Sequence, residues 1–301
     1  MARNEFIADA IDRSAETPAD KDKLAEMAAA ASSGSSTPVA GDGPSDASIL
    51  NFALNLEYLE AEFYLRATGS SLPDDLTTGV GARGEVAGGK PVPFKNQVIR
   101  KIAQEIASDE RQHVTFLRGA LGGAAVARPS ISLDDSFTAA ARAAGLIGNT
   151  DTFDAYANDL NFLFAAYLFE DVGVTAFKGA APFIANKTYL DAAAGLLATE
   201  AYHAGIVRLS LYNEGVMNEN VFEAVQKISN VRNAVDGVGD DDQSIGDAEK
   251  LNLVPTDSTG GAFGRSPAHI LNIVYLTPER ATSGGFYPDG LNGELRESGG
   301  N

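Results

Sequence analysis

Residues 109–113 read DERQH and residues 199–203 read TEAYH. Both reduce to Glu-x-x-His, pairing Glu110 with His113 and Glu200 with His203. The chain has 301 residues and only three histidines, so two of the three stand one helical turn after a glutamate. Side chains three apart on a helix project from the same face, so each motif offers a carboxylate and an imidazole toward one point.

The surrounding residues carry helical periodicity. In a helix expected over 93–121, Ile102, Ile106, Glu110, His113 and Leu117 share a face. In one expected over 187–213, Ala193, Leu196, Glu200, His203, Val207 and Leu211 do the same. Two further helices are expected over 46–68 and 152–179. The first aligns Leu50, Leu54, Glu57, Ala61 and Tyr64, and the second aligns Leu163, Ala166, Glu170, Val174 and Phe177. Four long helices, paired by a loop in each half and joined by a long connection over 122–150, predict an all-α fold, a four-helix bundle with one crossover.

Each helix thus places a glutamate inside its apolar stripe. A buried, ionised carboxylate without a partner costs several kcal/mol, and four together also repel one another. Protonation, buried Arg or Lys, or bound cations can offset this. Two divalent cations would balance four carboxylates, and two neutral imidazoles would complete the donor set. Oxygen with imidazole suits Mn or Fe. The expected metal ligands are Glu57, Glu110, His113, Glu170, Glu200 and His203, and the competing reading is a purely structural polar core. Two lone Glu with two Glu-x-x-His motifs is the donor set of the ferritin-like di-metal carboxylate proteins.

The chain also repeats itself. Aligning Glu110 with Glu200 brings Arg118 onto Arg208, and aligning Glu57 with Glu170 brings Tyr64 onto Phe177. The repeat favours Glu57 over Glu60. Glu60 lies near the stripe of Leu56 and Phe63 and is the runner-up, as a ligand or as a neighbour of the ligands. Arg118 and Arg208 are expected to be solvated or paired with surface acids. Tyr64 reads as a core tyrosine, with a hydrogen-bond donor near the site as its alternative.

Three stretches resemble the desiccation-related proteins of the ferritin-like superfamily: LNFALNLEYLEAEFYLRA at 50–67, IASDERQHVTFLRGALG at 106–122, and SPAHILNIVYL with GGFYPDGLNG toward the end. The resemblance covers roughly residues 46–298. It implies a ferritin-like bundle with an added C-terminal region.

The remaining chain divides into an N-terminal part, 1–45, with a polar helix over 3–31 and a flexible linker over 32–45, and a part from 216 onward. The bundle is expected over 46–215. Short helices are expected over 133–145 and 219–231, and one strand, ILNIVYL, over 270–276. Otherwise the C-terminal extension, expected to pack on the bundle, is rich in turn residues, with little β structure.

Net charge is −18, which disfavours nucleic acid and anionic membrane as partners. No apolar run approaches the roughly 18 residues of a membrane span. The first 36 residues lack a signal-peptide core, so the expected location is the cytoplasm as written, or an exported one if a signal has been removed. There is no cysteine, which excludes disulfides, thiolate catalysis and iron–sulfur clusters. Without a cysteine-ligated iron site to feed in electrons, the favoured substrate is peroxide, which serves as both oxidant and reductant, or oxygen. A catalase-like or peroxidase-like redox protein is the leading expectation, and a stress-protective or metal-sequestering protein without turnover is the alternative. Self-association into a homo-oligomer is left open.

Other signals carry less. GVGARG at 79–84 and GEVAGGK at 84–90 imitate nucleotide-binding loops, but no strand precedes them. The acidic run GDDDQSIGD at 239–247 reads as a solvated loop rather than a calcium site. His269 reads as a packing or hydrogen-bonding residue.

Overall fold

Ser45 and Asp46 open the first bundle helix and tie it to the last one. The Ser45 side chain accepts the Ser48 amide, so Ser45 is the cap and Asp46 stands in the first turn. The Asp46 carboxylate instead accepts the amides of Ala185 and Asn186, just ahead of the fourth long helix. The computed structural model describes residues 43–237, 239 and 241–301. The helix expected over 3–31 and the linker up to residue 42 lie outside the described residues.

The bundle consists of α1 (Asp46–Ala67), α2 (Gln97–Leu121), α4 (Asp159–Ala180) and α5 (Lys187–Met217), with α3 (Asp135–Ala143) in the long connection between the halves. Asn96, Asn158 and Asn186 cap α2, α4 and α5, each through its side-chain oxygen. The cap at Asn158 starts α4 seven residues later than the sequence pattern suggests. Helix α1 packs along α2, and α4 along α5, while α1 meets α4 and α2 meets α5 to close the bundle. This is the expected ferritin-like architecture. The expectation that no run approaches the length of a membrane span is corrected here: among the described residues Asp159–Phe183 is long and apolar enough to cross one, but 83% of its apolar window is buried inside the protein. Being apolar on all sides suits its central place among α1, α5, α6 (Asn220–Asp236) and α7 (Pro267–Tyr275).

The strand expected over 270–276 is a correction. These residues belong to α7, which starts at Pro267 with the Ser266 hydroxyl oxygen accepting the His269 amide and ends at Leu276 in the left-handed conformation (φ 56°). Ile270, Leu271, Ile273, Val274 and Tyr275 are all buried. A short run buried on every side shows neither period, and the Ser-Pro signature just before it was the deciding signal. The β structure among the described residues is small: β1 (Val86–Ala87) pairs in parallel with β2 (Ile131–Ser132). Gly84 belongs to this join and not to a nucleotide site, because a Cβ there would lie 2.0 Å from the Ser130 amide nitrogen.

The C-terminal part is tied to the bundle by buried charge. Arg208 on α5, Arg232 on α6 and Arg265 are buried with Asp171 on α4, Asp236 on α6 and Asp242. Arg208 and Arg232 both donate to Asp171 Oδ2, at 2.8 and 3.0 Å. Arg232 Nε lies 2.6 Å from Asp242 Oδ1, and Arg265 pairs with both Asp236 and Asp242. The guanidinium carbons of Arg208 and Arg232 lie 5.5 and 4.5 Å from the centre of the Tyr167 ring. Two expectations fall here. Arg208 is fully buried rather than solvated, and the acidic run supplies one buried ion-pair partner, Asp242, rather than a solvated loop alone. Removing one member of a buried, balanced network leaves its partner uncompensated. Arg232→Ala is therefore expected to lower the unfolding free energy by about 3–5 kcal/mol, read as a fall in the urea midpoint at unchanged slope. An unchanged midpoint would mean that the network does not hold the C-terminal part in place.

The repeat is visible in these contacts. Arg118 donates to the hydroxyl of Tyr58, the residue after Glu57, and to the carbonyls of Asp75 and Thr78. Arg208 donates to Asp171, the residue after Glu170, and to the carbonyls of Gln243, Ser244 and Asn252. In each half the same arginine pins a flanking loop to the helix that carries the lone glutamate. Among the described residues neither is paired with a surface acid.

Candidate metal centre

All six side chains singled out by the motifs and stripes meet in the middle of the bundle. Glu57, Glu110 and Glu200 have no exposed surface, and Glu170, His203 and His113 are 1%, 3% and 6% exposed. They form two groups, each with donor atoms within 4.8 Å of one another: Glu57, Glu110, His113 and Glu200, and Glu110, Glu170 and His203. His113 Nδ1 lies 3.1 Å from Glu57 Oε2, 3.3 Å from Glu110 Oε2 and 3.4 Å from Glu200 Oε1. His203 Nδ1 lies 3.0 Å from Glu110 Oε1 and 3.6 Å from Glu170 Oε2.

These distances are short, yet most of the atoms are not hydrogen-bonded to one another. Both oxygens of Glu110 and of Glu200, Glu57 Oε1, Glu170 Oε2 and His203 Nδ1 are buried without a hydrogen-bond partner. Buried polar atoms are nearly always paired, so seven orphans in one place require an explanation. Two donors at right angles on an ion about 2.1 Å away sit about 3.0 Å apart, without pointing at each other. The donors aim at shared points, as ligands of a cation do. No Lys or Arg forms an ion pair with any of the six among the described residues, which removes the guanidinium alternative. Carboxylate oxygen and imidazole nitrogen fit Mn or Fe.

The electrostatics agree. Burial pushes Glu57, Glu170 and Glu200 above the usual carboxylate range, and the neighbouring glutamates push in the same direction. Burial also opposes charge on Glu110, but the close imidazoles of His113 and His203 outweigh it and hold this carboxyl low. Burial disfavours a charged imidazole as well. The carboxylates around His113 override that and raise it, and those around His203 push it up to about 10. Without a cation, protons are what balance this cluster.

Three neighbours complete the site, and the sequence showed their roles only in part. Tyr64, fully buried, donates its hydroxyl to Glu170 Oε1, so the hydrogen-bond reading of this residue holds over that of a plain core tyrosine. Asp109, the first residue of the DERQH stretch, faces across to α5 and accepts from His203 Nε2 at 3.2 Å. Nothing in its own helix periodicity marks it, because its partner lies 94 residues away. Gly173 gives room: a Cβ there would meet Glu200 Oε2 at 2.4 Å and Glu60 Oε1 at 3.3 Å. Glu60 is buried and raised by burial and by the charges of Glu200 and Glu110, but it stays outside both donor groups. It lines a cavity with room for about one water, roughly 20 Å³, whose other walls include Phe169, Ile273 and Phe286. His269 is not among the clustered donors.

Comparison with known proteins identifies the family. Residues 45–213 match the family model of the ferritin-like domain. The chain is 32% identical over 272 residues to desiccation-related protein PCC13-62 of Craterostigma plantagineum, covering 83% of this chain and 84% of that protein. It is 28% identical over 276 residues to the ferritin-like catalase Nec2 of Nesocodon mauritianus, covering 85% and 86%. No solved structure matches. With the bundle, the matched span and these relatives together, the chain belongs to the ferritin-like family, among its desiccation-related proteins.

Proposed function

We propose that the central cluster binds two divalent ions, Mn or Fe, and that the loaded protein disproportionates hydrogen peroxide in stress protection. The observation that carries this reading is the set of seven buried, unpartnered donor atoms converging from four helices. The name of one relative, a ferritin-like catalase, supports it. So does the absence of cysteine, because two molecules of peroxide yield one of oxygen and two of water with no outside electron donor.

When bound, the ions supply Lewis acidity and reversible electron transfer. The chain's own residues position and protect. Glu110 faces both imidazoles. Asp109 fixes the orientation of His203, and Tyr64 occupies one oxygen of Glu170 and leaves the other free. The aromatic cluster of Phe63, Phe137, Phe162 and Phe169 packs beside Tyr64 and keeps bulk water out. Protein loaded with Mn or Fe should evolve oxygen on addition of hydrogen peroxide, and a Glu110→Ala, His113→Ala double variant should not. A fully loaded wild type that evolves none removes the catalase reading.

The desiccation-related relative favours a second reading, protection without turnover. Under it, the double variant would protect in drying assays as well as the wild type does. Loss of protection together with the metal would exclude it.

A further inference from the structure

The internal repeat is broken at two positions, and both breaks favour the same half of the cluster. In the repeat, Asp109 on α2 aligns with Thr199 on α5. Asp109 stands behind His203, accepting its Nε2 proton. The Thr199 hydroxyl instead donates to the carbonyl of Gly195 in its own helix, at 3.3 Å. Tyr64 on α1 aligns with Phe177 on α4. Tyr64 donates to Glu170, and the ring of Phe177 has no hydroxyl to offer Glu57. Glu170 and His203 are therefore both held from behind. In the neutral imidazole, with its Nε2 proton donated to Asp109, His203 presents the Nδ1 lone pair on the side of Glu110.

The donor counts differ in the opposite sense. The group around His113 has four residues, Glu57, Glu110, His113 and Glu200, whereas the group around His203 has three, of which Glu110 is shared. Glu110 presents Oε2 to His113 and Oε1 to His203. Glu200 brings Oε1 within 3.4 Å of His113, and its other oxygen lies against Gly173.

We infer that the two halves have different tasks: the four-donor half around His113 takes the first ion and holds it more tightly, while the three-donor half around His203 takes the second and leaves more of its coordination to a small exogenous ligand of the peroxide class. This rests on the proposal that the cluster binds two ions. Mn favours about six donors in octahedral geometry, so neither half saturates its ion, and the half with three protein donors leaves more positions open than the half with four. Where donors are fewer, the groups that orient them matter more, and losing one typically costs 10–100-fold in metal affinity. Asp109 and Tyr64 are then positioning residues for the second ion alone.

The test is a titration of chelator-treated full-length protein with Mn(II), followed by calorimetry and electron paramagnetic resonance. The wild type should bind in two steps. The first should give a six-line spectrum of an isolated ion, and the second should replace it with a broadened, coupled spectrum. Asp109→Asn and Tyr64→Phe should each leave the first step unchanged and weaken the second 10–100-fold. Azide should perturb the spectrum much more after the second equivalent than after the first. Simultaneous filling, an equal loss in both steps in either variant, or an azide response as large from the one-ion form as from the two-ion form would overturn the inference while leaving the two-ion proposal standing. A wild type that binds no Mn(II) would remove the proposal and the inference together.

Discussion

Glu110→Ala is expected to reduce bound metal from two ions per chain to at most one, a larger loss than any other single substitution should cause. Glu110 is the only residue that belongs to both donor groups, and its two oxygens face different imidazoles. Its removal leaves the His203 group with Glu170 and His203 alone, too few to hold an ion among competing waters. It leaves the His113 group with three donors instead of four and weakens it as well. A hundredfold loss in affinity corresponds to about 2.7 kcal/mol. Elemental analysis of purified, dialysed protein measures the outcome directly. Glu60→Ala is the control: it removes a buried carboxylate close to Glu200 that belongs to neither group, and the variant should keep two ions. If Glu60→Ala loses an ion while Glu110→Ala retains both, the shared ligand is Glu60 and the assignment on α1 and α2 is wrong.

The second large effect is on stability. Stripped of metal, the protein should become less stable as the pH rises from about 5 to 9, the reverse of ordinary behaviour on the acid side. Glu57, Glu60, Glu170 and Glu200 are raised by burial, so the folded state keeps protons that the unfolded chain releases above its ordinary value of about 4.3. His113 and His203 are raised by the carboxylates around them, His203 to about 10, so they too keep protons that the unfolded chain loses near 6.5. The histidine contribution is complete below about 6.5 and is lost as the pH climbs through the folded-state values. In both cases the native state binds more protons than the unfolded state, and stability falls with pH by about 1.4 kcal/mol per pH unit for each extra proton. Glu110 has the opposite sign, but its window lies below the ordinary carboxylate range and does not act above pH 5.

Bound cations replace those protons, so loading should release protons, flatten the pH profile and raise the melting temperature. An ion present at a thousand times its dissociation constant adds about 4 kcal/mol. Calorimetric melting at pH 5, 7 and 9, with metal and with chelator, reads all of this. Chelated protein that gains stability between pH 5 and 9 would show that the cluster is balanced by something other than protons.

Much of this was legible in the sequence, for a physical reason. A charged residue inside an apolar stripe conflicts with burial, and four such conflicts at matching heights are visible without coordinates. Glu57, Glu110, His113, Glu170, Glu200 and His203 all announced themselves in this way. Asp109 did not, because it lies off the stripe of its own helix and gains its role only from α5 packing alongside. Tyr64 was visible as a position but not as a donor, since periodicity places a side chain and does not say where its hydroxyl points. Arg208, Arg232 and Arg265 were hidden for a different reason. Their partners Asp171, Asp236 and Asp242 are spread over helices and a loop, and buried ion pairs leave no local pattern. The sequence of α7 imitates a strand because ILNIVYL is largely buried, and the decisive Ser266–Pro267 cap lies outside the apolar run.

The central claim, that two cations sit among donors from four helices, is tested most directly by anomalous X-ray scattering. Crystals of protein produced with Mn and Fe supplied should be measured on both sides of each metal's absorption edge. The account predicts two peaks, one bounded by Glu57, Glu110, His113 and Glu200 and the other by Glu110, Glu170 and His203. A map without peaks, in which the glutamates and imidazoles have closed onto one another as hydrogen-bonded pairs, would contradict it.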